Sequence, residues 1–427
     1  MSAETPIPAS LLPATAAVGV DGALTVGGCS LLDLAASFGT PAFVYDVAHI
    51  EQRCREAVAA FGRERVVYAA KAFLCRAIAR LVHTEGLLLD VASGGELHVA
   101  LAAGVPAEAC VLHGNNKSVD ELRQAIGAGV RHLVVDSFDE LDRLDALHRG
   151  GLPAPDVLLR ITPGVHAHTH EYISTGQDDS KFGFNLANGD ATTAVERAAG
   201  SRAVNLVGLH CHIGSNVFVA GSYTRAAELI AGFAAPFDLP QLVVGGGLGV
   251  AYVTGETAPT MAEWAAAIRE GCAAAGVAAD VTVEPGRAIV AAAAVTLYEV
   301  GTIKPIPGVR TYVAVDGGMS DNPRPVLYGS GYEAFLPRAP FAERPFPARI
   351  VGKHCESGDI LLFDARLPAD LAVGDVLAVP VTGAYGQSMG SNYNKVPRPP
   401  VVFVGNGEAH LAVRRETYDD LLATDLG

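Results

Sequence analysis

VVYAAK (66–71), LLLDVAS (87–93), CVLHG (110–114), HLVVDS (132–137), DVLLRIT (156–162), VNLVGLHCH (204–212), QLVVGGG (241–247) and VTVEPG (281–286) are eight short apolar runs, evenly strung between Val66 and Gly286. Their length and their Val, Ile and Leu content read as strands buried on both faces. The intervening stretches have helical periodicity. Ser118-x-x-Glu121, Ser137-x-x-Glu140 and Thr260-x-x-Glu263 read as capping boxes at helix starts. Another helix is expected over 48–61, before the first strand. Eight strand–helix units in series predict a closed (β/α)8 TIM-like barrel. A doubly wound sheet would place a Gly-x-Gly-x-x-Gly turn after its first strand, and none follows 66–71.

Outward from this core the texture changes. Beyond about residue 300 prolines become frequent, and TYVAVD (311–316), ILLFDA (360–365), DVLAVPV (375–381) and PVVFVG (400–405) alternate with turns. These predict a mainly antiparallel β domain. ALTV (23–26) and PAFVYD (41–46) precede the barrel and are expected to join it. The division is thus 1–46 for an N-terminal tail and strands of the β domain, 47–300 for the barrel, and 301–427 for the C-terminal β domain. The first fifteen or so residues read as a loose tail.

Composition narrows the partners. The formal charge of −15 repels nucleic acid and anionic membrane. Seven scattered cysteines with no Cys-x-x-Cys pair argue against a disulfide framework or a zinc site and fit a reducing, cytoplasmic setting. The N-terminus MSAETPIPAS lacks the basic start of a signal peptide, and the alanine-rich 288–296 is too short to span a bilayer.

In a barrel, active-site residues lie at the C-terminal ends of the strands. Lys71, Asp90, His113, Arg160, His210, His212, Gly245–Gly247 and Glu284 all fall there. Lys71 admits two readings, a Schiff-base lysine or a snorkelling surface residue. The triple glycine is either a plain turn or a backbone cradle for a phosphate. Glu284 with Arg287 is either a local ion pair or a carboxylate facing a pyridine nitrogen. His210 and His212 share one face of a strand. One could stack on a flat cofactor, the two could bind a metal, or either could be a satisfied core histidine; no third metal ligand stands at a fitting spacing.

Taken together, YAAKAF, DVASGGEL, HGNNKS, RITPGVHAHTHEYISTGQDDSKFGF, GLHCHIGSN, GGGLG, EPGR, DGGMSDNPRPVLYG, GKHCESGD and GAYGQSMGSNYN occur in that order over residues 40–400. In these ten stretches the chain closely resembles the diaminopimelate decarboxylases, of the alanine racemase-like fold type. The resemblance implies pyridoxal 5'-phosphate carried on Lys71, with Asp90 nearby setting the lysine's charge. It implies His212 stacked on the ring and Glu284 paired with the ring nitrogen. Ser215, Gly246, Gly247, Gly286, Arg287 and Tyr385 would hold the cofactor, the phosphate in particular. Arg287, Arg324, Tyr328, Glu356 and Tyr385 would bind substrate, the arginines taking the distal carboxylate and Glu356 the distal ammonium. Cys355 would reprotonate the carbon that lost CO2. The family's Cys-Glu pair comes from the second subunit, so a homodimer with shared active sites is implied.

The implied reaction is decarboxylation of meso-2,6-diaminopimelate to L-lysine, the last step of lysine biosynthesis. Ornithine, arginine, carboxynorspermidine or a carrier-bound amino acid would be the alternative substrate on the same fold. Arg324 together with Glu356 favours a substrate with both a distal carboxylate and a distal ammonium. Two departures stand out: Phe73 where many relatives carry asparagine, and KVPRP (395–399) where an arginine often precedes the final Pro-Arg-Pro. Ser357 and Asp359 read as turn residues, and Lys181 as a structural salt-bridge partner.

Overall fold

The computed structural model describes residues 6–165, 179–277 and 281–427. The middle of the RITPGVHAHTHEYISTGQDDSKFGF stretch therefore lies outside the described residues. The chain divides into two compact units: one of 53–250 and 258–288, the other of 1–52, 251–257 and 289–427.

The first unit is the barrel. Its strands are β1 (Val67–Ala69), β2 (Leu88–Val91), β3 (Cys110–Leu112), β4 (His132–Val135), β5 (Asp156–Thr162), β6 (Asn205–Cys211), β7 (Gln241–Val244) and β8 (Val281–Thr282). Each pairs in parallel with the next in sequence. A parallel bridge between Val66 and Val283 brings the last strand to the first, with Val67 N–H donating to Val283 O at 2.8 Å. All eight expected strands are present, and all but Asp156–Thr162 end earlier than their apolar runs. Lys71, for example, stands in a single 3-10 turn, Ala70–Ala72, just past β1.

Helices cover the barrel through apolar stripes. Along Met261–Ala274 the buried residues include Met261, Trp264, Ala265, Ile268 and Cys272, which follow the i, i+3, i+4, i+7 spacing of one helix face. Gly271 lets this helix approach Ala220–Ala234, since a Cβ there would lie 2.1 Å from Thr224 O. Two of the three expected capping boxes form, at Ser118/Glu121 and Thr260/Glu263. At the third, Ser137 accepts from Glu140 N–H. The Glu140 carboxylate instead accepts from buried Lys117 Nζ at 2.8 Å and from Asp136 N–H at 3.0 Å. A buried ammonium needs a counter-charge more than the Ser137 N–H needs a cap.

The second unit is built on a mixed, mainly antiparallel sheet. Its order is Ile360–Leu367, Phe346–Val351, Arg310–Val315, Ala294–Ile306, Ala42–Asp46, Val401–Gly405, Glu408–Val413, with Val376–Pro380 also paired to Ala294–Ile306. Ala42–Asp46 joins this sheet as expected, between Ala294–Ile306 and Val401–Gly405. Leu24–Val26 does not: it forms a small antiparallel sheet with Ala17–Val18 and Cys29–Ser30 within the same unit. The loose tail is shorter than expected, because Ile7, Leu11 and Leu12 are buried.

Candidate active site

On the barrel, the C-terminal rim gathers the buried titratable groups. Glu284 is the hub. Its Oε2 lies 2.9 Å from His210 Nε2 and its Oε1 lies 3.0 Å from His113 Nε2. His113 Nε2 is also 3.8 Å from Asp90 Oδ1. Burial alone would lift the Glu284 acid, but His113 and His210 hold it well below the usual carboxylate range. Burial works against charge on His113 too, yet Asp90 and Glu284 raise its pKa above the ordinary histidine value. His210 goes the other way, lowered by burial. Within the hub the carboxyl is thus held low, the His113 imidazole is shifted toward its protonated form and the His210 imidazole toward its neutral form.

The metal-type trio that comes together is His113, His210 and Glu284, in place of the His210–His212 pair offered by the sequence. The contacts of 2.9 and 3.0 Å are hydrogen-bond lengths. Two ligands of a tetrahedral ion would stand roughly 3.3 Å apart. A group that gives a hydrogen bond from outside, such as a pyridinium N–H, suits this ionised carboxylate better.

Lys71 is exposed at this rim. After burial, its charge is the next cause that lowers the pKa of His212, and it opposes the rise that burial imposes on Glu96. Asp90 pairs in register with Ala69, two residues before the lysine. Gly286 packs so tightly on β1 that a Cβ would lie 2.9 Å from Ala69 Cβ, which brings the Glu284–Arg287 segment alongside the lysine's strand.

His212 is half-buried, and its pKa falls well below the usual value through burial and the charges of Lys71 and Arg160. Its Nδ1 accepts from Gly246 N–H at 3.1 Å. An uncharged imidazole of fixed tautomer is suited to lie against a flat ring. The same bond occupies the Gly246 amide that the sequence assigned to a phosphate. The glycines at the end of β7 also have a packing reason: a Cβ on Gly246 would stand 1.9 Å from Glu284 O, and one on Gly247 2.0 Å from Gly214 O. Beside them Arg287 Nη2 donates to Ser215 Oγ at 2.8 Å, so two of the expected phosphate-binding side chains meet. A rim lysine, a half-buried histidine, a buried glutamate and a Ser–Arg pair at a glycine turn are a donor set that fits a phosphorylated pyridine aldehyde. A cavity of about 390 Å³ among Arg63, Arg131, His132 and Gln241 opens at the other end of the strands and reaches Glu284 from below.

The second unit carries the remaining predicted residues. Arg324 opens a one-turn helix, Arg324–Tyr328, and is only 4 % exposed. Its Nη1 donates to Tyr332 Oη at 2.6 Å, and its guanidinium lies 4.2 Å over the Tyr252 ring. Burial opposes its charge, but the phenols of Tyr252, Tyr332 and Tyr385 hold its pKa above the ordinary arginine value. Arg324 Nε is buried with no hydrogen-bond partner among the described residues. A cation so caged, with a donor in hand, is shaped for a carboxylate. Tyr385 is half-buried and held at φ +60°. Tyr328 is half-buried on the same turn as Arg324.

Cys355 and Glu356 are both exposed, side by side on a loop. Asp359, expected to be a simple turn residue, is 2 % exposed and anchors this loop. It accepts from Met319 N–H at 2.6 Å and His354 N–H at 2.9 Å. Sequence reasoning missed the Tyr252–Tyr332 cage and the contacts of His354, since neither has a spacing pattern that announces it. His113 was placed at the rim but given no role.

A family model described as "Pyridoxal-dependent decarboxylase, pyridoxal binding domain" matches residues 47–291. The diaminopimelate decarboxylase of Mycobacterium tuberculosis is 47% identical over 425 residues, covering 95% of each chain. That of Bacillus subtilis is 47% identical over 420 residues, again covering 95% of each. Among solved structures, diaminopimelate decarboxylase from M. jannaschii in complex with L-lysine superposes with a TM-score of 0.90 at 34% identity, over 97% of this chain and 98% of that one.

Proposed function

The chain belongs to the pyridoxal-dependent decarboxylases, within them to the diaminopimelate decarboxylases, and from that premise we propose how its residues divide the work. The reaction is decarboxylation of diaminopimelate to lysine and CO2, with pyridoxal 5'-phosphate as cofactor. Pyridoxal phosphate supplies an electron sink for the pair left when CO2 departs.

Lys71 is the amine that carries the cofactor, and Asp90 sets its charge. Glu284 would keep a proton on the ring nitrogen; its burial at the rim between His210 and His113 is the observation that carries this reading. His212 lies against the ring. Ser215, Gly247, Gly286, Arg287 and Tyr385 hold the cofactor, chiefly at its phosphate, and Gly246 serves by giving its N–H to His212 Nδ1. Arg324, with Arg287, Tyr328 and Tyr385, receives the distal carboxylate of the meso isomer, and Glu356 its distal ammonium. A substrate lacking that carboxylate would leave the caged Arg324 cation desolvated and unpaired, a loss that supports selection. Cys355 delivers the proton to the α-carbon. The exposure of Cys355 and Glu356 supports their service in the site of a second copy, within a homodimer. The seven free cysteines support a cytoplasmic setting.

The test is a substrate panel. Holoenzyme is offered meso- and LL-diaminopimelate, ornithine, arginine and lysine while CO2 release is followed. Release from the meso isomer alone is expected. Release from ornithine but not from the meso isomer would overturn the substrate assignment.

A further inference from the structure

Three loops meet behind Cys355. His354, 8 % exposed, lies between them. Its Nε2 is 2.8 Å from Ser320 Oγ and its Nδ1 is 3.2 Å from Asn394 Oδ1. The same Asn394 oxygen accepts from the Cys355 N–H at 3.2 Å. An amide oxygen only accepts, so His354 carries its proton on Nδ1, and Nε2 takes the Ser320 hydroxyl proton. From the other side Asp359 holds the His354 and Met319 amides. Gly318 and Gly352 make room for that carboxylate, since a Cβ on either would stand within 2.6 Å of Asp359 Oδ2.

The backbone is bent to achieve this. Asn394 and Lys395 follow one another at φ +51° and +57°. Two consecutive non-glycine residues in the left-handed region are costly, and such outliers persist where the surroundings over-determine them. Here the bend aims one oxygen at two donors, and one of those donors is the amide of the residue assigned to proton delivery.

We infer that His354 and Asn394 are positioning residues: they fix the backbone at Cys355, and with it the direction from which the thiol meets the carbon it protonates. The inference rests on the reading of Cys355 as the proton donor. A misdirected Cys355 thiol would leave the proton to be delivered to pyridoxal phosphate rather than to the substrate carbon, and hydrolysis by water would then give an aldehyde and pyridoxamine phosphate.

Four holoenzyme variants test this: Asn394→Gly, Asn394→Asp, His354→Gln and Cys355→Ser. Glycine tolerates the bend and removes the side-chain amide, whereas aspartate keeps an acceptor and tolerates positive φ. Two readouts are taken. One is amide hydrogen exchange over 352–359 without substrate; the other is the fraction of turnovers ending in pyridoxamine phosphate, with kcat alongside. Asn394→Gly should speed exchange at the Cys355 amide about tenfold. It should also lower kcat by about tenfold to a hundredfold, as small misplacements do, and raise the pyridoxamine fraction. His354→Gln should move the same way, and Asn394→Asp should return both readouts toward the parent. Parent-like exchange and partition in Asn394→Gly and His354→Gln, with Cys355→Ser impaired, would overturn the positioning role alone. Parent-like turnover in Cys355→Ser would instead remove the reading of the thiol, and the inference with it.

Discussion

Glu284 and His113 form a linked pair whose two pKa values move apart, and the direction of each fixes a pH window. His113 is raised, so its contribution to stability is full below the unfolded histidine value and is lost as pH rises through its folded value. Glu284 is depressed, so its contribution is full above the unfolded carboxylate value and is lost as pH falls through its folded value. Both act fully between about pH 4.3 and 6.5. The cofactor-free protein and its His113→Gln variant should therefore differ most in denaturation midpoint within that window, and converge as His113 loses its proton above it. A gap that widens steadily toward pH 9 would contradict this assignment. Arg324 yields a second expectation at this scale. Arg324→Lys keeps the charge but loses the planar fork and the stacking on Tyr252. Loss of a charged hydrogen bond, about 1.5–3 kcal/mol, should raise KM for meso-diaminopimelate by at least tenfold in steady-state assays. Lys71 and Glu284 were legible because strand ends announce themselves in one dimension. The cage around Arg324 was not, because Tyr252 and Tyr332 come together only through the fold.

The strands were the most legible elements, since eight apolar runs need no tertiary information to stand out. Their ends were less so: the apolar runs extend past the last ladder bonds into the turns that carry function. The helix start at Ser137 marks where local pattern loses to tertiary demand. An ordinary cap there would be worth about 1 kcal/mol. The Glu140 carboxylate instead neutralises Lys117, and both side chains are 2 % exposed. Glu140→Ala should strand a buried ammonium and cost about 3–5 kcal/mol in chemical denaturation, several times the effect of Ser137→Ala. Comparable losses for the two variants would return Glu140 to the role of a simple cap partner. Leu24–Val26 lies in the second unit, but which sheet it joins was not legible in the sequence. Alternation identifies a strand but does not name its neighbour.

For the whole molecule, the shared-site reading gives a direct mixing experiment. Lys71→Ala and Cys355→Ser are each expected to be nearly inactive alone. If each site takes its lysine from one protomer and its thiol from the other, subunit exchange creates hybrid dimers with one intact site, and about a quarter of the parent activity should return. No recovery after verified exchange would mean that lysine and thiol act within one chain. The two-unit organisation was legible in outline, from the switch between strand–helix alternation and proline-rich alternation. Its interleaving was not, because the segment 251–257 belongs to the second unit while its neighbours in sequence belong to the barrel.

The strand Ala42–Asp46 has a further consequence, which concerns time. It is among the first strands to leave the ribosome, yet its neighbours are Ala294–Ile306 and Val401–Gly405. At about 5–20 residues per second, roughly 20–70 s separate its synthesis from that of its last neighbour. Through that interval an apolar strand, buried at every position when complete, waits with both edges open. The nascent chain thus has to be kept from pairing with others until its final segment is made, and a release only a few tens of residues early would leave that edge bare for good.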